Sequence, residues 1–464
     1  MDMNQHELPG WTDDLRRELE RMASEIPAQA PRIPRNLPVF IPENSYHMTA
    51  SLQKAIDEAS ERGGGIVRID EGNVRTGTLV LRSHVYLEVR TGARLTASDD
   101  LADFPEHIAK RRTVQDTNMG MNQSLIFAEG CTDIGIFGGG VISGQGTPDH
   151  FPGDETCNGT PGRPFLIRMI DCRNITLRDI TLTQSACWMQ NYLNCENLHL
   201  DHITVRNHAN YNNDGIDVDG CRRVYIHDVR ISSGDDALCF KGASERATED
   251  VLVENCDFDS ACNAIKIGTD TQGDFRRILI RHCHAGGLSE DPSGLKHAGS
   301  DSAVSLEMLD GGTVEDIWIT GLHVSRAFSP FFVRIEDRGR VKPEDPKPGV
   351  GILRRVLIEH VRGYDCGPRG SYMIGSPLRA IEQIAFSDVL IEQYASKKYE
   401  KPEDYPEFIG VYPDAHMIDD IGDAPAYALW TRHVRGLSLR DYRVIADSEE
   451  KRPETVFEDT TFAE

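Results

Sequence analysis

Four short segments with related patterns follow one another in the middle of the chain: CRNITLRDI from Cys172, CENLHLDHI from Cys195, CRRVYIHDV from Cys221 and TEDVLVENC from Thr248. Each segment alternates apolar and polar residues, as half-buried strands do. Their starts lie 23, 26 and 27 residues apart. A strand in every unit of roughly 20–30 residues is typical of a solenoid.

The connections between these segments are too short and too polar to hold crossover helices. The strands must therefore stack on the equivalent strands of the next coil, which predicts an all-β parallel β-helix of about ten coils. Cysteines recur at one phase of the repeat. We expect them to form an internal ladder of buried thiols, at Cys131, Cys172, Cys195 and Cys221.

Two helices are predicted before the repeat begins. The first covers Thr12 to Glu25 with Thr12 as its N-cap, and the second covers Thr49 to Arg62. Because an uncovered end coil exposes strand edges, we expect the second helix to cap the N-terminal end of the solenoid. The sequence thus divides into a helical and extended segment, 1–48, and a β-helix domain, 49–464.

Composition excludes several classes of function. The 464 residues carry 74 Asp and Glu against 50 Lys and Arg, a formal net charge of −24, which argues against nucleic acid or anionic lipid as a partner. No apolar run is long enough to span a membrane. The N-terminus resembles no secretory signal, and the 11 cysteines include no pair of CxxC motifs. We therefore expect a cytoplasmic protein with reduced thiols and without structural zinc.

The densest chemistry lies in two acidic boxes. Asp214 precedes Asp235 by 21 residues and Asp236 by 22, about one coil, so we expect three carboxylates on neighbouring coils that stack ~4.8 Å apart. Crowding should raise the pKa of one of them. A protonated acid beside an ionised carboxylate is what cleavage of a glycosidic bond uses. The alternative is an ordinary pair of Asp-Gly turns, and the facing of Asp217 and Asp219 is left open.

The two boxes resemble those of the polygalacturonase family, glycoside hydrolase family 28. That family has an Asn-Thr-Asp-Gly box and, one coil later, a Gly-Asp-Asp box; the matches here are Asn212-Asn213-Asp214-Gly215 and Gly234-Asp235-Asp236. The segment SLQKAIDEASERGGGIVRI also looks like the family. The resemblance implies a right-handed parallel β-helix that hydrolyses α-glycosidic bonds with inversion. Asp235 would be the general acid, Asp214 and Asp236 would activate water, and no metal or organic cofactor would be needed.

The chain leaves the family pattern at two later boxes. Asn263, in ACNAIKIGT, stands where the family has His, and Lys266 follows it. The Arg-Ile-Lys box that grips the galacturonate carboxylate in the family is replaced by Ser305-Leu306-Glu307. Glu307 would repel a uronate, so we expect a neutral sugar there, or a carboxylate held by Lys266 or Arg334. Lys266 could instead hold a catalytic Asp in its ionised form, and the remaining alternative is a side chain that reaches solvent.

Other residues are candidates for contacts with sugars. Trp188 could stack on a ring, with core packing as the alternative, while His208 and Asn213 could donate hydrogen bonds near the acidic boxes. Tyr412 and His416, in a late insertion, could close one end of a groove. Closure of the groove would favour action from the end of a glycan chain.

These observations together predict an inverting, exo-acting glycoside hydrolase. Its substrate would be an α-linked oligosaccharide from pectin-type or related glycans, and the sugar before the cleaved bond need not be galacturonate. Two alternatives keep the fold. One is a uronide lyase or epimerase that relies on Lys266 and Arg334, and the other is a sugar-binding β-helix without catalysis. The oligomeric state is left open.

Overall fold

A computed structural model describes residues 7–43, 48–110, 113–114, 122–153, 162–292, 294–396 and 423–463. The described helices are α1 (Gly10–Gln29) and α2 (Thr49–Glu61), with a 3-10 turn at Leu101–Asp103. The described strands are β1 (Val39–Phe40), β2 (Gly65–Ile69), β3 (Gly72–Thr76), β4 (Leu79–Val80), β5 (Val85–Val89), β6 (Ala93–Ala97), β7 (Ser124–Glu129), β8 (Thr132–Phe137), β9 (Val141–Ser143), β10 (Phe165–Ile170), β11 (Arg173–Thr183), β12 (Gln190–Leu193), β13 (Glu196–Asn207), β14 (Ile216–Asp219), β15 (Arg222–His227), β16 (Arg230–Ser233), β17 (Leu238–Gly242), β18 (Thr248–Glu254), β19 (Asp257–Ser260), β20 (Asn263–Thr271), β21 (Phe275–Arg281), β22 (His284–Gly287), β23 (Ser300–Met308), β24 (Thr313–Ser325), β25 (Ala327–Ile335), β26 (Ile352–Cys366), β27 (Ser371–Ile374), β28 (Ile381–Gln393), β29 (Leu429–Ala446) and β30 (Thr455–Phe462).

Each strand pairs in parallel with its counterpart one coil along, which makes a parallel β-helix and confirms the predicted all-β class. One face, called here the front sheet, is built from β7, β10, β12, β14, β17, β20, β23, β25 and β27. A second face, the back sheet, is built from β8, β11, β13, β15, β18, β21, β24, β26 and β28. Since stacked coils keep one register, residues a coil apart in sequence become neighbours in space.

Inward-facing Ile, Leu and Val side chains fill the interior of the coil as one continuous core. Each fully buried side chain of this kind contributes roughly 1.5–3 kcal/mol relative to exposure. The predicted thiol ladder is confirmed, because Cys131, Cys172, Cys195 and Cys221 are all buried and the backbone N–H of Cys195 lies 3.3 Å from Cys221 Sγ. Among the described cysteines, no disulfide is present.

Helix α1 is longer than predicted and lies on the outside of the back sheet. It begins at Gly10 after Pro9. Thr12 is not its N-cap, since the Thr12 hydroxyl sits inside the helix and donates to the Pro9 carbonyl at 2.9 Å. The apolar side of α1 covers an outward-facing row on successive coils: Leu252, Leu279, Trp318, Leu357 and Ala385. This row explains why the helix is stable, because packing of an apolar face outweighs helix propensity.

A polar contact fixes the position of α1 along the coil axis. Arg16 Nη2 donates to Glu359 Oε2 at 2.7 Å, and Trp318 Nε1 donates to Glu359 Oε1 at 2.9 Å. Glu359 is buried, so its charge is matched within the interface. The helix is thereby held in one register over the apolar row.

Helix α2 turns its apolar side to the main core. Leu52, Ala55, Ile56 and Ala59 are buried there. The chain leaves α2 through Gly63 and Gly64, both with positive φ; a Cβ at Gly64 would lie 2.8 Å from the His84 carbonyl oxygen, so glycine is required. Within the described residues, no helix is long and apolar enough to cross a membrane.

Candidate active site

The two acidic boxes meet on the front sheet, at the start of neighbouring strands. Ile216 of β14 pairs with Leu238 of β17, so Asp214 and Asp236, each two residues earlier, lie at the same position on adjacent coils. The Gly215 N–H donates to the Asp236 carbonyl at 2.9 Å. The one-coil spacing read from the sequence therefore brings the predicted carboxylates together.

Asp236 is buried, and two side chains hold its two carboxyl oxygens. Lys266 Nζ lies 3.0 Å from Asp236 Oδ2, and Asn263 Nδ2 donates to Oδ1 at 2.8 Å. Ser302 Oγ in turn donates to Asn263 Oδ1 at 2.7 Å, which fixes which end of the amide faces the carboxylate. The ammonium contacts one carboxyl oxygen and the amide donates to the other. The Asp236 side chain is thus held in one orientation.

Asp214 shares a second lysine with Asp217. Lys241 Nζ lies 3.4 Å from Asp214 Oδ2 and 3.3 Å from Asp217 Oδ1. The same ammonium sits 4.3 Å from the centre of the Trp188 ring, a cation–π contact. Sequence reasoning missed Lys241. A signal was present, because Lys241 follows Asp219 by the same 22 residues that separate Asp214 from Asp236, an interval that places it beside an acid of the preceding coil.

Asp235 is the least buried of the three predicted catalytic residues. The Asp236 N–H donates to Asp235 Oδ1 at 2.9 Å, and Ser233 Oγ and Ser260 Oγ each donate to the Asp235 carbonyl at 2.7 Å. Its side chain keeps some contact with solvent. Burial, followed by the charges of Asp214 and Asp236, raises the pKa of Asp235 to about 8. The group therefore holds a proton at neutral pH.

The neighbouring acids also hold protons more tightly than usual. Burial, then the charge of Asp217, raises the pKa of Asp214 well above its ordinary value. Burial raises the pKa of Asp217 to about 7 and that of Asp219 to about 8. Asp219 accepts hydrogen bonds from the N–H groups of Ala243 and Ser244, at 3.2 and 3.0 Å. Crowded carboxylates of this kind share protons as a group.

Three predicted substrate contacts are internal contacts in the structure, since Asn213, Asn263 and Glu307 are fully buried. Asn213 Nδ2 donates to the carbonyls of Ser185 and Cys187 at 3.0 and 3.1 Å, which holds the turn before Asp214. Asn263 orients Asp236. Glu307 accepts a short hydrogen bond from the Ser305 hydroxyl. In the structure these three side chains contact protein groups, and their contact with a substrate stays a prediction.

Trp188 and Arg334, both candidates for contact with a sugar, contact other side chains of the protein in the structure. Trp188 is 6% exposed and packs edge-on against Phe165 with ring centres 5.6 Å apart, so it supports Lys241 instead of presenting a face to a sugar. Arg334 pairs with Glu336, at 2.5 Å from its Nε. Burial lowers the pKa of Arg334. Within this arrangement its guanidinium neutralises a buried acid of the protein.

His208 stands beside the acidic boxes as predicted, and a second residue that the sequence did not suggest faces it. His208 Nε2 lies 2.8 Å from Ser232 Oγ, and Nδ1 lies 3.3 Å from Asp291 Oδ1. Burial lowers the pKa of His208 despite the nearby Asp291. The predicted end-closing residues Tyr412 and His416 lie outside the described residues.

Three side chains at the site are close enough together to bind a cation. Oxygens of Asp235 and Asp236 and the thiol sulfur of Cys262 come within 4.8 Å of one another. The Lys266 ammonium already lies 3.0 Å from Asp236 and supplies positive charge at that place. Carboxylates and a positioned acid suffice for water-assisted cleavage of a glycoside.

Comparison with known proteins gives the same family as the boxes. The family description "Glycosyl hydrolases family 28" matches residues 108–278. A probable polygalacturonase of Vitis vinifera is 27% identical over 291 residues, which cover 59% of this chain and 57% of that protein. A probable exopolygalacturonase X of Aspergillus flavus is 24% identical over 314 residues, 62% of this chain and 68% of that protein. The match thus spans little more than half of the Vitis relative.

Solved structures show the same fold. An exopolygalacturonase from Thermotoga maritima superposes with a TM-score of 0.66 at 20% identity, covering 81% of this chain and 91% of that one. The family 28 exopolygalacturonase of Yersinia enterocolitica gives a TM-score of 0.63 at 15% identity, covering 92% and 76%. With its acidic boxes intact and its later boxes altered, the chain is similar to glycosyl hydrolase family 28 over residues 108–278, and it shares the β-helix fold of the two solved exopolygalacturonases.

Proposed function

We propose that this protein is an inverting glycoside hydrolase that acts from the end of an α-linked oligosaccharide of pectin type. The observation that carries the proposal is Asp235, a partly exposed carboxyl group with a pKa of about 8, set against two buried acids that are each paired with a lysine. This places a proton donor, Asp235, beside Asp236, an acid held in one orientation by Lys266 and Asn263. Such separation of roles between neighbouring carboxyl groups is the requirement for glycoside hydrolysis.

In the proposed reaction, Asp235 donates its proton to the glycosidic oxygen as the bond to the leaving sugar breaks. Asp236, oriented by Lys266 and Asn263, accepts a proton from the attacking water on the opposite face of the ring. Asp214 assists from the adjacent coil. Attack from the face opposite the leaving group inverts the configuration at the anomeric carbon.

The paired cations bear on the choice of sugar. Lys266 is paired with Asp236, Lys241 with Asp214, and Arg334 with Glu336. A uronate carboxylate placed beside them would compete with acids of the protein that are already buried at short distance. We therefore propose that the sugar before the cleaved bond is neutral, or that its carboxyl group is masked as an ester.

We also propose the direction of attack on the glycan, the location of the protein and a capping role for α2. End-on action is supported by the names of the Aspergillus, Thermotoga and Yersinia exopolygalacturonases. A cytoplasmic location is supported by the absence of disulfides among the described cysteines. Capping of the N-terminal coil by α2 is supported by its four buried apolar residues.

The test is a panel of pectic, rhamnogalacturonan and neutral α- and β-linked oligosaccharides, with products read by mass spectrometry and by NMR of the anomeric proton. The wild type is compared with Asp235→Asn and with Asp257→Asn, a control on the exposed surface. We expect the wild type and the control to release a hydrated monosaccharide of inverted configuration, with activity falling above about pH 8 as Asp235 ionises. An ultraviolet-absorbing unsaturated product would establish the lyase alternative. Binding without turnover in all three proteins would establish the sugar-binding alternative.

A further inference from the structure

A compact group of histidines and acids lies away from the carboxylate cluster, where the coil bends after the back sheet. Asp201 and His202 come from β13, and His227 and Asp228 come from β15 and the residue after it. Asp201 and His227 are paired across the two coils. His202 and Asp228 both adopt a left-handed backbone, with φ of 50° and 53°. The bend repeats on adjacent coils and presents the two dipeptides side by side in opposite order.

The ligand atoms of these four side chains converge. One nitrogen of each histidine and one oxygen of each aspartate all lie within 4.8 Å of one another. His227 Nδ1 is 2.7 Å from Asp228 Oδ2 and 3.5 Å from Asp201 Oδ1, and His202 Nδ1 makes a short contact with Asp201 Oδ1. Four ligand atoms around a tetrahedral Zn²⁺ lie about 3.3 Å apart. The observed separations are on that scale.

The hydrogen bonds behind His227 fix which of its nitrogens faces the group. His199 Nδ1 lies 3.1 Å from the Pro31 carbonyl, so that nitrogen must carry a proton and donate it. His199 Nε2 is then an acceptor, and His227 Nε2, at 3.0 Å, is its donor. In the neutral ring this leaves His227 Nδ1 to present its lone pair to the oxygens of Asp201 and Asp228.

A lone pair directed at two carboxylates needs a positive centre between them, which is either a proton on the ring nitrogen or a bound cation. A histidine that binds a metal through one ring nitrogen commonly donates its other N–H to a fixed acceptor, which sets the tautomer and the ring orientation. The relay from His227 through His199 to Pro31 has this form. Tyr225 stacks on the His227 ring at 4.3 Å and on the His199 ring at 5.4 Å and restrains both ring planes.

We propose that Asp201, His202, His227 and Asp228 form a binding site for a divalent transition-metal ion of the zinc class. Two imidazoles and two carboxylates suit Zn²⁺ in ligand type and number, and the two carboxylates balance its charge. The site is separate from the catalytic carboxylates in the strands that build it. Through Pro31 it also ties the segment after α1 to the coil.

The test uses the full-length protein, freed of metal with a chelator and titrated with ZnCl₂ by isothermal calorimetry. We expect one tight site per chain and a rise of the thermal unfolding midpoint with Zn²⁺ concentration. Co²⁺ in place of Zn²⁺ should give the visible absorption of a tetrahedral complex. His202→Ala and His227→Ala should each abolish the tight site. His199→Phe, which keeps the ring but removes the relay, should weaken binding by roughly 10- to 100-fold.

The matched control is His360→Gln. His360 also has a left-handed backbone at a bend of the back sheet and pairs with one acid, Asp388 at 2.8 Å, without a second histidine in that pair. This variant should bind Zn²⁺ as the wild type does. The proposal is overturned if the wild type shows no saturable binding, or if the His202→Ala and His227→Ala proteins bind as tightly as the wild type. The metal-free unfolding midpoints of all variants show whether a loss of binding is a loss of folding.

Discussion

Replacing Asp235 by asparagine should stabilise the protein at neutral pH while it removes the hydrolase activity. The amide is nearly the same shape as the carboxyl group and can still accept the hydrogen bond that the Asp236 N–H donates at 2.9 Å. It cannot donate a proton to a leaving group. In the folded wild type, burial and the neighbouring acids disfavour the ionised form of Asp235. Asparagine never ionises, so the variant does not bear this energetic cost.

The magnitude follows from the pKa of Asp235, which rises from 3.8 in the unfolded chain to about 8 in the folded protein. A raised carboxyl pKa favours folding less and less as pH increases from the unfolded to the folded value. Each unit corresponds to about 1.36 kcal/mol, so at pH 7 the cost is about 4 kcal/mol. Contact of the Asp235 side chain with solvent reduces this cost. We therefore expect Asp235→Asn to raise the free energy of unfolding by ~2–4 kcal/mol at pH 7 and by little at pH 4.

The assay is urea unfolding of wild type and Asp235→Asn at a series of pH values from 4 to 9. The difference in unfolding free energy should grow with pH and level off near pH 8, because only the wild type titrates at this position. Asp257→Asn on the exposed surface should change stability by no more than about 0.5 kcal/mol at any pH. If Asp235→Asn is less stable than the wild type, or if the difference in unfolding free energy does not vary with pH, the folded protein does not raise the pKa of Asp235.

Other substitutions test the surrounding contacts. Lys266→Met leaves the buried Asp236 without the ammonium at 3.0 Å, and should cost about 3–5 kcal/mol in urea unfolding together with most of the activity; an unchanged midpoint would contradict the ion pair. Asn263→Ala removes the donor to Asp236 and should cost about 1–3 kcal/mol and lower kcat with KM nearly constant, whereas a change in KM alone would indicate direct substrate contact. Leu19 lies on the buried side of α1, and Leu19→Ala should lower the free energy of unfolding by about 2–5 kcal/mol without altering kcat. The control is Ser24→Ala, at an exposed position of the same helix, which should change the free energy of unfolding by no more than about 0.5 kcal/mol.

The coil and the meeting of the acidic boxes were predictable because both depend on sequence spacing alone. Asp214 and Asp236 are 22 residues apart, and Ile216 pairs with Leu238 across the same interval. A parallel stack turns such an interval directly into a contact. No knowledge of side-chain direction was needed for that step.

The charge pairing of the site was harder to predict because it depends on side-chain direction after irregular backbone. The break at Gly215 hid the facing of Asp217, which shares Lys241 with Asp214. For Lys266 the sequence left three alternatives open, a substrate carboxylate, a catalytic Asp or solvent, and in the structure it lies against Asp236. The Thr12 cap was wrong because Pro9 already precedes the first turn, so the helix begins before the hydroxyl could cap it.

The placement of α1 has a consequence for the order in which the chain folds. Arg16 and its partner Glu359 are separated by 343 residues, and the apolar row under the helix is assembled from five successive coils. A chain that leaves the ribosome N-terminus first has made α1 long before its docking surface exists. Closing so large a loop also makes the contact slow to form. Helix α1 is synthesised before the coils that it covers, so it is among the last elements to dock, and its apolar side stays exposed to water until those coils have folded.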